Sequence, residues 1–333
     1  ASVWRRPSAK SSVVTTTARG HHCIPASSQA TRKIEVIRSG GRLVLRLAFV
    51  AAGLAFVGRA LAQGISDGSF DDLRASWVVL SGVVAVAAMT YIAARWSRAA
   101  HLVGGNLAIG EAIPLYYQGE VGKYLPGAVW AVVGRGELAV RAGLARPVAY
   151  ASVASSLAGL YLGGALAAVL LLPAAAGARG ATAVVGVVAF LVIGLAGLHP
   201  AVVGRALSVV ERVARRKFDV TVPSWRHAVG LVLGYLPAWV AIGFAHWCAV
   251  RALGVSAPIT HIAFASAVSW CAGFLAIPAP GGIGVRESVF VLTSGVASHD
   301  AAAAALLARV AFVVADGAGA ALSAAWTMTR RAQ

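Results

Sequence analysis

The chain has 333 residues, 59% of them hydrophobic and only 12% charged, with a mean hydropathy of +0.76. Soluble domains carry about twice that charged fraction, so an ordinary soluble enzyme is excluded and a single bundle of membrane-spanning helices is expected. The net charge of +17 sits in short basic runs between apolar segments and not along one polar face, which points to anionic lipid and cytoplasmic loops and away from nucleic acid.

Residues 1–41 are rich in Ser, Thr and Arg, with Glu35 the only acid and no apolar period, so a disordered basic cytoplasmic tail is expected before a helical bundle over 42–329. His21, His22 and Cys23 are too isolated there to argue for a metal. Cys23, Cys248 and Cys271 are too few and scattered for a disulfide framework or a zinc site, and no cofactor is expected. A first span covers 43–62 and a second 75–94, with Asp67, Asp71 and Asp72 between them and Arg95, Arg98 and His101 after. The positive-inside rule then places both chain ends in the cytoplasm.

From 101 to 138 the apolar pattern breaks into pieces too short to cross, which suggests a re-entrant hairpin, the alternative being a cytoplasmic amphipathic loop lying on the membrane. Residues 147–178 carry no charge and must cross, turning near 173–180. Ser155, Gly159 and Gly163 recur every fourth residue, a spacing that lets backbones approach and marks a central helix. Residues 181–198 cross back to a basic loop containing Arg205, Arg212, Arg215, Arg216, Lys217 and Arg226. The span 229–250 follows, with a kink expected at Pro237 and packing roles for Trp239 and Trp247. The uncharged run 252–285 holds another span, 288–296 is a short crossing or else part of a second re-entrant hairpin, and 301–326 is the last. The reading is an all-α, polytopic membrane bundle of about eight spans with broken helices.

Two broken segments stand out, YLPGAVW…RGE at 124–137 and PAPGGIGVRE at 278–287, each joining a Pro-Gly break to an Arg and a Glu in apolar surroundings. Interrupted helices in corresponding halves mark midplane binding sites in transporters built from inverted repeats, and such a repeat is suggested here. Helices that restart at Pro126-Gly127 and at Gly281, Gly282 and Gly284 would turn backbone N–H groups toward a cavity. Lys123, Arg135 and Arg286 could neutralise a phosphate there, with Glu120, Glu137 and Glu287 orienting them. The plainer alternative makes Glu120–Lys123 and Glu137–Arg141 helix pairs at the cytoplasmic surface. Asp316, seven residues after Arg309 on one helix face, needs a cationic partner, expected to be Arg286 or Arg309.

GEVGKYLPGAVWAVVGR followed by PAPGGIGVRESVFV resembles the lysylphosphatidylglycerol synthase transmembrane-region family, over about 43–326. The resemblance implies broken helices around a lipid cavity handling anionic or aminoacylated phospholipids or related lipid-linked headgroups. Its motifs fall on Glu120, Lys123, Pro126, Gly127 and Arg135, and on Pro280, Gly281, Gly282, Gly284, Arg286 and Glu287. In aminoacyl-lipid synthases the module is credited with flipping the modified lipid. The sequence ends at Gln333 without a soluble aminoacyl-transferase domain, so lysyl transfer is not expected of this polypeptide alone.

The expected function is therefore a lipid translocator of the plasma (inner) membrane, transporter-like more than enzymatic. The alternatives are an intramembrane transferase on a lipid-linked substrate, which would lack HExxH, a nucleophile elbow or paired aspartates, and a structural partner of a cell-envelope enzyme.

Overall fold

The computed structural model describes residues 66, 73–124, 129–174, 181–276 and 282–331, with the side chains of 181–184 and 327–331 left out. The expected tail, the first span at 43–62 and the aspartates 67, 71 and 72 lie outside the described residues, as do Pro126, Gly127, Pro280 and Gly281. The described residues form α1 (Ala75–Leu102), α2 (Ile109–Glu120), a 3-10 turn (Val121–Tyr124), α3 (Trp130–Arg141), α4 (Arg146–Leu171) and α5 (Ala181–Gly197). They continue as α6 (Pro200–Ala214), α7 (Trp225–Leu233), α8 (Leu236–Ala252), α9 (Ile259–Leu275), α10 (Val285–Thr293) and α11 (Ser298–Arg331). No strand occurs among them.

Four stretches are long and apolar enough to cross a bilayer: α1, α4, Trp225–Ala252 across α7 and α8, and Ser298–Trp326 of α11. A fifth candidate is the pair α5 and α6, bent by 70°, and α9 is a shorter apolar helix. This is the polytopic helical membrane bundle that the composition requires. The basic segment after α5, expected as a loop, is instead largely the helix α6. Its Val202, Val209 and Val213 are exposed beside Arg205 and Arg212, and none of its residues is buried.

Helix α4 is central, and small residues make it so. A Cβ at Gly159 would come within 2.8 Å of the Tyr235 ring, and one at Gly163 within 3.1 Å of the Val232 carbonyl. Ser156 and Tyr235 share a hydrogen bond at 2.8 Å, while the Trp239 indole donates to the Leu160 carbonyl at 2.7 Å. Trp239 is thus a packing residue, as is Trp247, whose indole donates to the Ala257 carbonyl. A kink is expected at Pro237, and the helix is interrupted at Gly234 and Tyr235, just before Pro237, the second residue of α8. Proline removes one backbone donor and crowds the preceding turn, and the Gly234 carbonyl at the break accepts the Tyr91 hydroxyl at 2.9 Å.

The chain repeats itself. Helix α1 and the α7–α8 span are each 28 residues long. They end in the same way, at Gly104 (φ 91°) and Gly254 (φ 77°), a left-handed backbone that glycine adopts without a Cβ penalty. A helical hairpin follows in both cases: α2 and α3 in the first half, α9 and α10 in the second. The hairpins close at Gly143 (φ 101°) and Gly295 (φ 71°), and a long helix, α4 or α11, follows each. The arms differ in length, 12 residues in α2 against 17 in α9 and 12 in α3 against 9 in α10.

The two halves run in opposite directions. Contacts from the Arg74 amide to the Ala252 carbonyl (2.8 Å), from Ser81 to the Ala245 carbonyl (2.8 Å) and from Tyr91 to the Gly234 carbonyl make α1 antiparallel to α8.

Close packing of α4 yields a direct test. A Cβ at Gly164 would fall inside the Trp239 indole, whereas Gly186 on α5 has open space around it. Gly164→Leu is expected to lower stability in detergent by about 1–3 kcal/mol, and Gly186→Leu to leave it unchanged. Thermal unfolding of the two purified variants checks this.

Candidate functional site

Each hairpin is closed by a glycine pressed against an arginine. In the first, a Cβ on Gly119 would sit 2.8 Å from the Arg135 amide nitrogen, so only glycine lets α2 and α3 meet there. In the second, a Cβ on Gly273 would sit 2.5 Å from Arg286 Cγ. Three residues before each glycine stands an aromatic ring that lies under that arginine. Arg135 lies 5.0 Å from the Tyr116 ring centroid, and Arg286 lies 4.3 Å from that of Trp270. A guanidinium is drawn to the negative face of such a ring, the more so where water is scarce.

The end of α2 tightens into the 3-10 turn and carries Lys123 into the bundle. Its Nζ lies 3.1 Å from Glu120 Oε1 and 2.6 Å from Asp316 Oδ2 on α11. The Tyr124 hydroxyl donates to the same Asp316 oxygen at 2.7 Å. Arg135 Nε stands 3.8 Å from Glu120 Oε2. In the second hairpin, Glu287 accepts the Gly284 backbone N–H at 2.8 Å, which caps α10, and forms an ion pair with Arg309 of α11. Arg135, Glu287 and Asp316 are all buried.

Glu120, Lys123, Arg135, Gly282 and Arg286 line one cavity of about 530 Å³, walled otherwise by apolar side chains such as Met89, Ile92, Leu157 and Leu160. That volume is in the range of small-molecule sites. Arg286 has no ion pair among the described residues, and its buried Nε has no hydrogen-bond partner there. A smaller hollow of about 50 Å³ adjoins it, lined by His246, Glu287 and Arg309 and sharing Lys123, Trp270 and Arg286 with the larger one. Among the described residues no group of three His, Cys, Asp or Glu side chains is placed to hold a metal ion.

Several expectations change here. The partner of Asp316 is Lys123, with Tyr124 beside it, and neither Arg286 nor Arg309: the first hairpin meets α11 at Asp316, while the second takes Arg309 through Glu287. Glu120 and Lys123 do form the close helix pair, but inside the bundle, with side chains 12% and 23% exposed. Glu137 does not pair with Arg141. It holds Arg146 through two bonds of 2.9 and 3.1 Å and accepts the Tyr150 hydroxyl, tying α3 to α4 across the glycine turn. Gly284 and Glu287 belong to the helix cap and the smaller hollow, not to the larger cavity. Of the residues expected at a site, Pro126, Gly127 and Gly281 lie outside the described residues. Tyr116, Trp270 and His246 were missed, although the aromatic three residues before each glycine was a readable signal.

The family model of the lysylphosphatidylglycerol synthase TM region matches residues 43–316, most of the chain. The chain belongs to this family. A search for similar curated proteins gave no match. As a member, it is an integral membrane protein whose two motifs now have a geometry: they are the two glycine–arginine hairpins that face one another across the cavity.

Breaking a buried ion pair by removing one partner strands the other charge, whereas removing both is much less harmful. Asp316→Asn is therefore expected to destabilise the protein in detergent by about 3 kcal/mol, the lower end of the usual range because Lys123 also faces the cavity. The Lys123→Met/Asp316→Leu double variant should recover most of that loss, and comparing their thermal unfolding decides it.

Proposed function

We propose that the protein binds the headgroup of a phospholipid or lipid-linked substrate in the larger cavity and moves it across the plasma membrane. The observation that carries the reading is the convergence of Lys123, Arg135 and Arg286 on one cavity with otherwise apolar walls. Arg286 is the cation with no anionic partner among the described residues, so its charge is the one a phosphate satisfies best. Glu120 Oε2 has no hydrogen-bond partner among the described residues and also faces the cavity, which supports aminoacylated headgroups as well as plainly anionic ones: phosphate on the arginines, ammonium on the carboxylate. Apolar walls suit the acyl chains.

The chain arrangement fits this role. The two hairpins are read as re-entrant, one from each side of the bilayer, since irregular backbone at membrane depth is tolerated where it lines a cavity. Helix α6, apolar on one side and basic on the other, is read as lying in the cytoplasmic interface against anionic lipid, with both termini on that side. The carboxylates that a transferase would need, Glu120 and Glu287, are each engaged with cations, which favours binding and transport over acid–base catalysis.

The test uses purified protein in liposomes containing tail-labelled phosphatidylglycerol, with loss of label to an impermeant quencher as the readout. The wild type should move lipid well above empty vesicles. A charge-assisted hydrogen bond contributes about 1.5–3 kcal/mol, so Arg286→Ala should lower the lipid affinity by about 10- to 100-fold without altering thermal stability much. Vesicles that match the empty ones, together with no lipid retained by the purified protein, would remove the reading.

A further inference from the structure

Asp316 is the buried carboxylate that the headgroup reading leaves without a task. It is fully buried and is not among the residues that line either hollow. Its Oδ2 takes both of its bonds, from Lys123 Nζ at 2.6 Å and from the Tyr124 hydroxyl at 2.7 Å, while Oδ1 has no hydrogen-bond partner among the described residues. A half-satisfied carboxylate in such surroundings is costly, and its charge is tolerated because Lys123 stands against it. The other groups that feel this charge are phenols: Tyr124 of the turn, and Tyr116 and Tyr117 of α2. Helix α1 contributes the neutral Thr90 hydroxyl, which shares a hydrogen bond with Tyr117 at 2.9 Å. The charged or titratable groups that α8 and α10 bring to α11, His246, Arg286 and Glu287, line the smaller hollow with Arg309, two turns earlier.

Lys123, the cation paired with Asp316, is shared. Its Nζ also lies 3.1 Å from Glu120, and its side chain lines the larger cavity together with Arg135 and Arg286. A phosphate entering that cavity first meets Arg286, which has no pair to give up, and then the ammonium of Lys123. Each step that draws Lys123 toward the phosphate takes it from Asp316. We propose that Asp316 is a proton-binding site coupled to the headgroup: as a phosphodiester engages Arg286 and Lys123, Asp316 takes up one proton from water on Oδ1. This rests on the reading of the larger cavity as a headgroup site.

One O–H bond forms and no bond of the lipid breaks. Oδ1 is the oxygen on which a proton adds without displacing a bond already made, so the Tyr124 hydroxyl keeps its place on Oδ2. The charge balance favours the pairing of the two events. Around the larger cavity three cations, Lys123, Arg135 and Arg286, stand against two carboxylates, Glu120 and Asp316, an excess of one positive charge. A singly charged phosphodiester and a proton added together leave that excess unchanged, so no net charge is brought into apolar surroundings. The phosphate entering alone would leave the Lys123 ammonium divided among three negative groups, with the most deeply buried of them, Asp316, the one that water cannot reach.

Calorimetric titration of the purified protein with short-chain phosphatidylglycerol, in two buffers of different ionisation enthalpy at the same pH, counts the protons taken up. The wild type should take up about one proton per lipid, and its affinity should therefore fall about tenfold for each unit the pH rises, over the range in which Asp316 is ionised without lipid. Asp316→Asn imitates the protonated acid and should bind with no proton uptake and with an affinity that pH does not change. Because that variant is expected to be less stable, the Lys123→Met/Asp316→Leu pair is measured beside it; it should bind more weakly, through Arg286 and Arg135, again without a proton. Binding by the wild type with no proton uptake overturns the proposal and leaves the cavity reading standing. Uptake that persists in either variant also overturns it, because another group, such as Glu120 or His246, is then the one that titrates. No binding of the lipid at any pH removes the headgroup reading, and this proposal with it.

Discussion

An ionisable group inside an apolar bundle must find an opposite charge, and in this protein that requirement holds the two halves of the site together. Asp316 on α11 is fully buried and takes Lys123 and Tyr124 of the first hairpin. Arg309, two turns earlier on the same helix, takes Glu287 of the second. One helix face thus bears one charge of each sign, and each sign holds a different hairpin. Of the hairpin arms only α9, at 17 residues, approaches the length of a crossing, so this anchoring to α11 and the packing on α4 help determine where the others sit.

The glycines act at a second level. Gly119 and Gly273 allow an arginine of the returning arm to lie against the helix backbone, with an aromatic ring one turn away under its guanidinium. The side chain of an arginine held this way loses little further freedom when it binds an anion, because its orientation is already fixed. Four cations, Lys123, Arg135, Arg286 and Arg309, meet three carboxylates, Glu120, Glu287 and Asp316, so the cluster has one positive charge to spare. It is nearly neutral when empty, and an incoming phosphate need not separate an existing pair to be bound at Arg286.

Much of this was legible before any coordinates. Composition gave the class, the short apolar pieces over 101–138 gave the first hairpin, and the charges stranded in apolar sequence drew notice to Lys123, Arg135 and Arg286, which line one cavity; the second hairpin was read mainly as a span and a short crossing. Pairings across the fold were not legible. Asp316 and its Tyr124 partner are 192 residues apart, and a helix-face argument could propose only the nearer arginines. Glu137 shows the same limit from the other direction: the local rule favoured Arg141, but the glycine turn brings Arg146 and Tyr150 of the next helix closer. The internal repeat was hard to see for a related reason. What the halves share is where helices start and stop and where glycine stands, while the side chains between have been replaced one for another, as Tyr116 by Trp270 and Leu157 by Arg309. Helix α6 was hidden because its basic residues drew attention from the valines spaced between them.

Those replacements go with the difference between the two hollows, about 530 Å³ where α4 carries Leu157 and Leu160 and about 50 Å³ where α11 carries Arg309 and Phe312. Placing Arg309 where its counterpart is Leu157 gives the second hairpin an ion pair that the first lacks, and Lys123–Asp316 gives the first a tie that reaches across to the other half. The halves are thus held by different bonds although they share a backbone plan. A few kcal/mol between two packings is enough to populate one of them almost exclusively. A ligand that competes for Arg309 or Lys123 weakens one of these ties directly. Lys123 and Arg309, which line the two hollows, are therefore also the groups that tie the hairpins to α11.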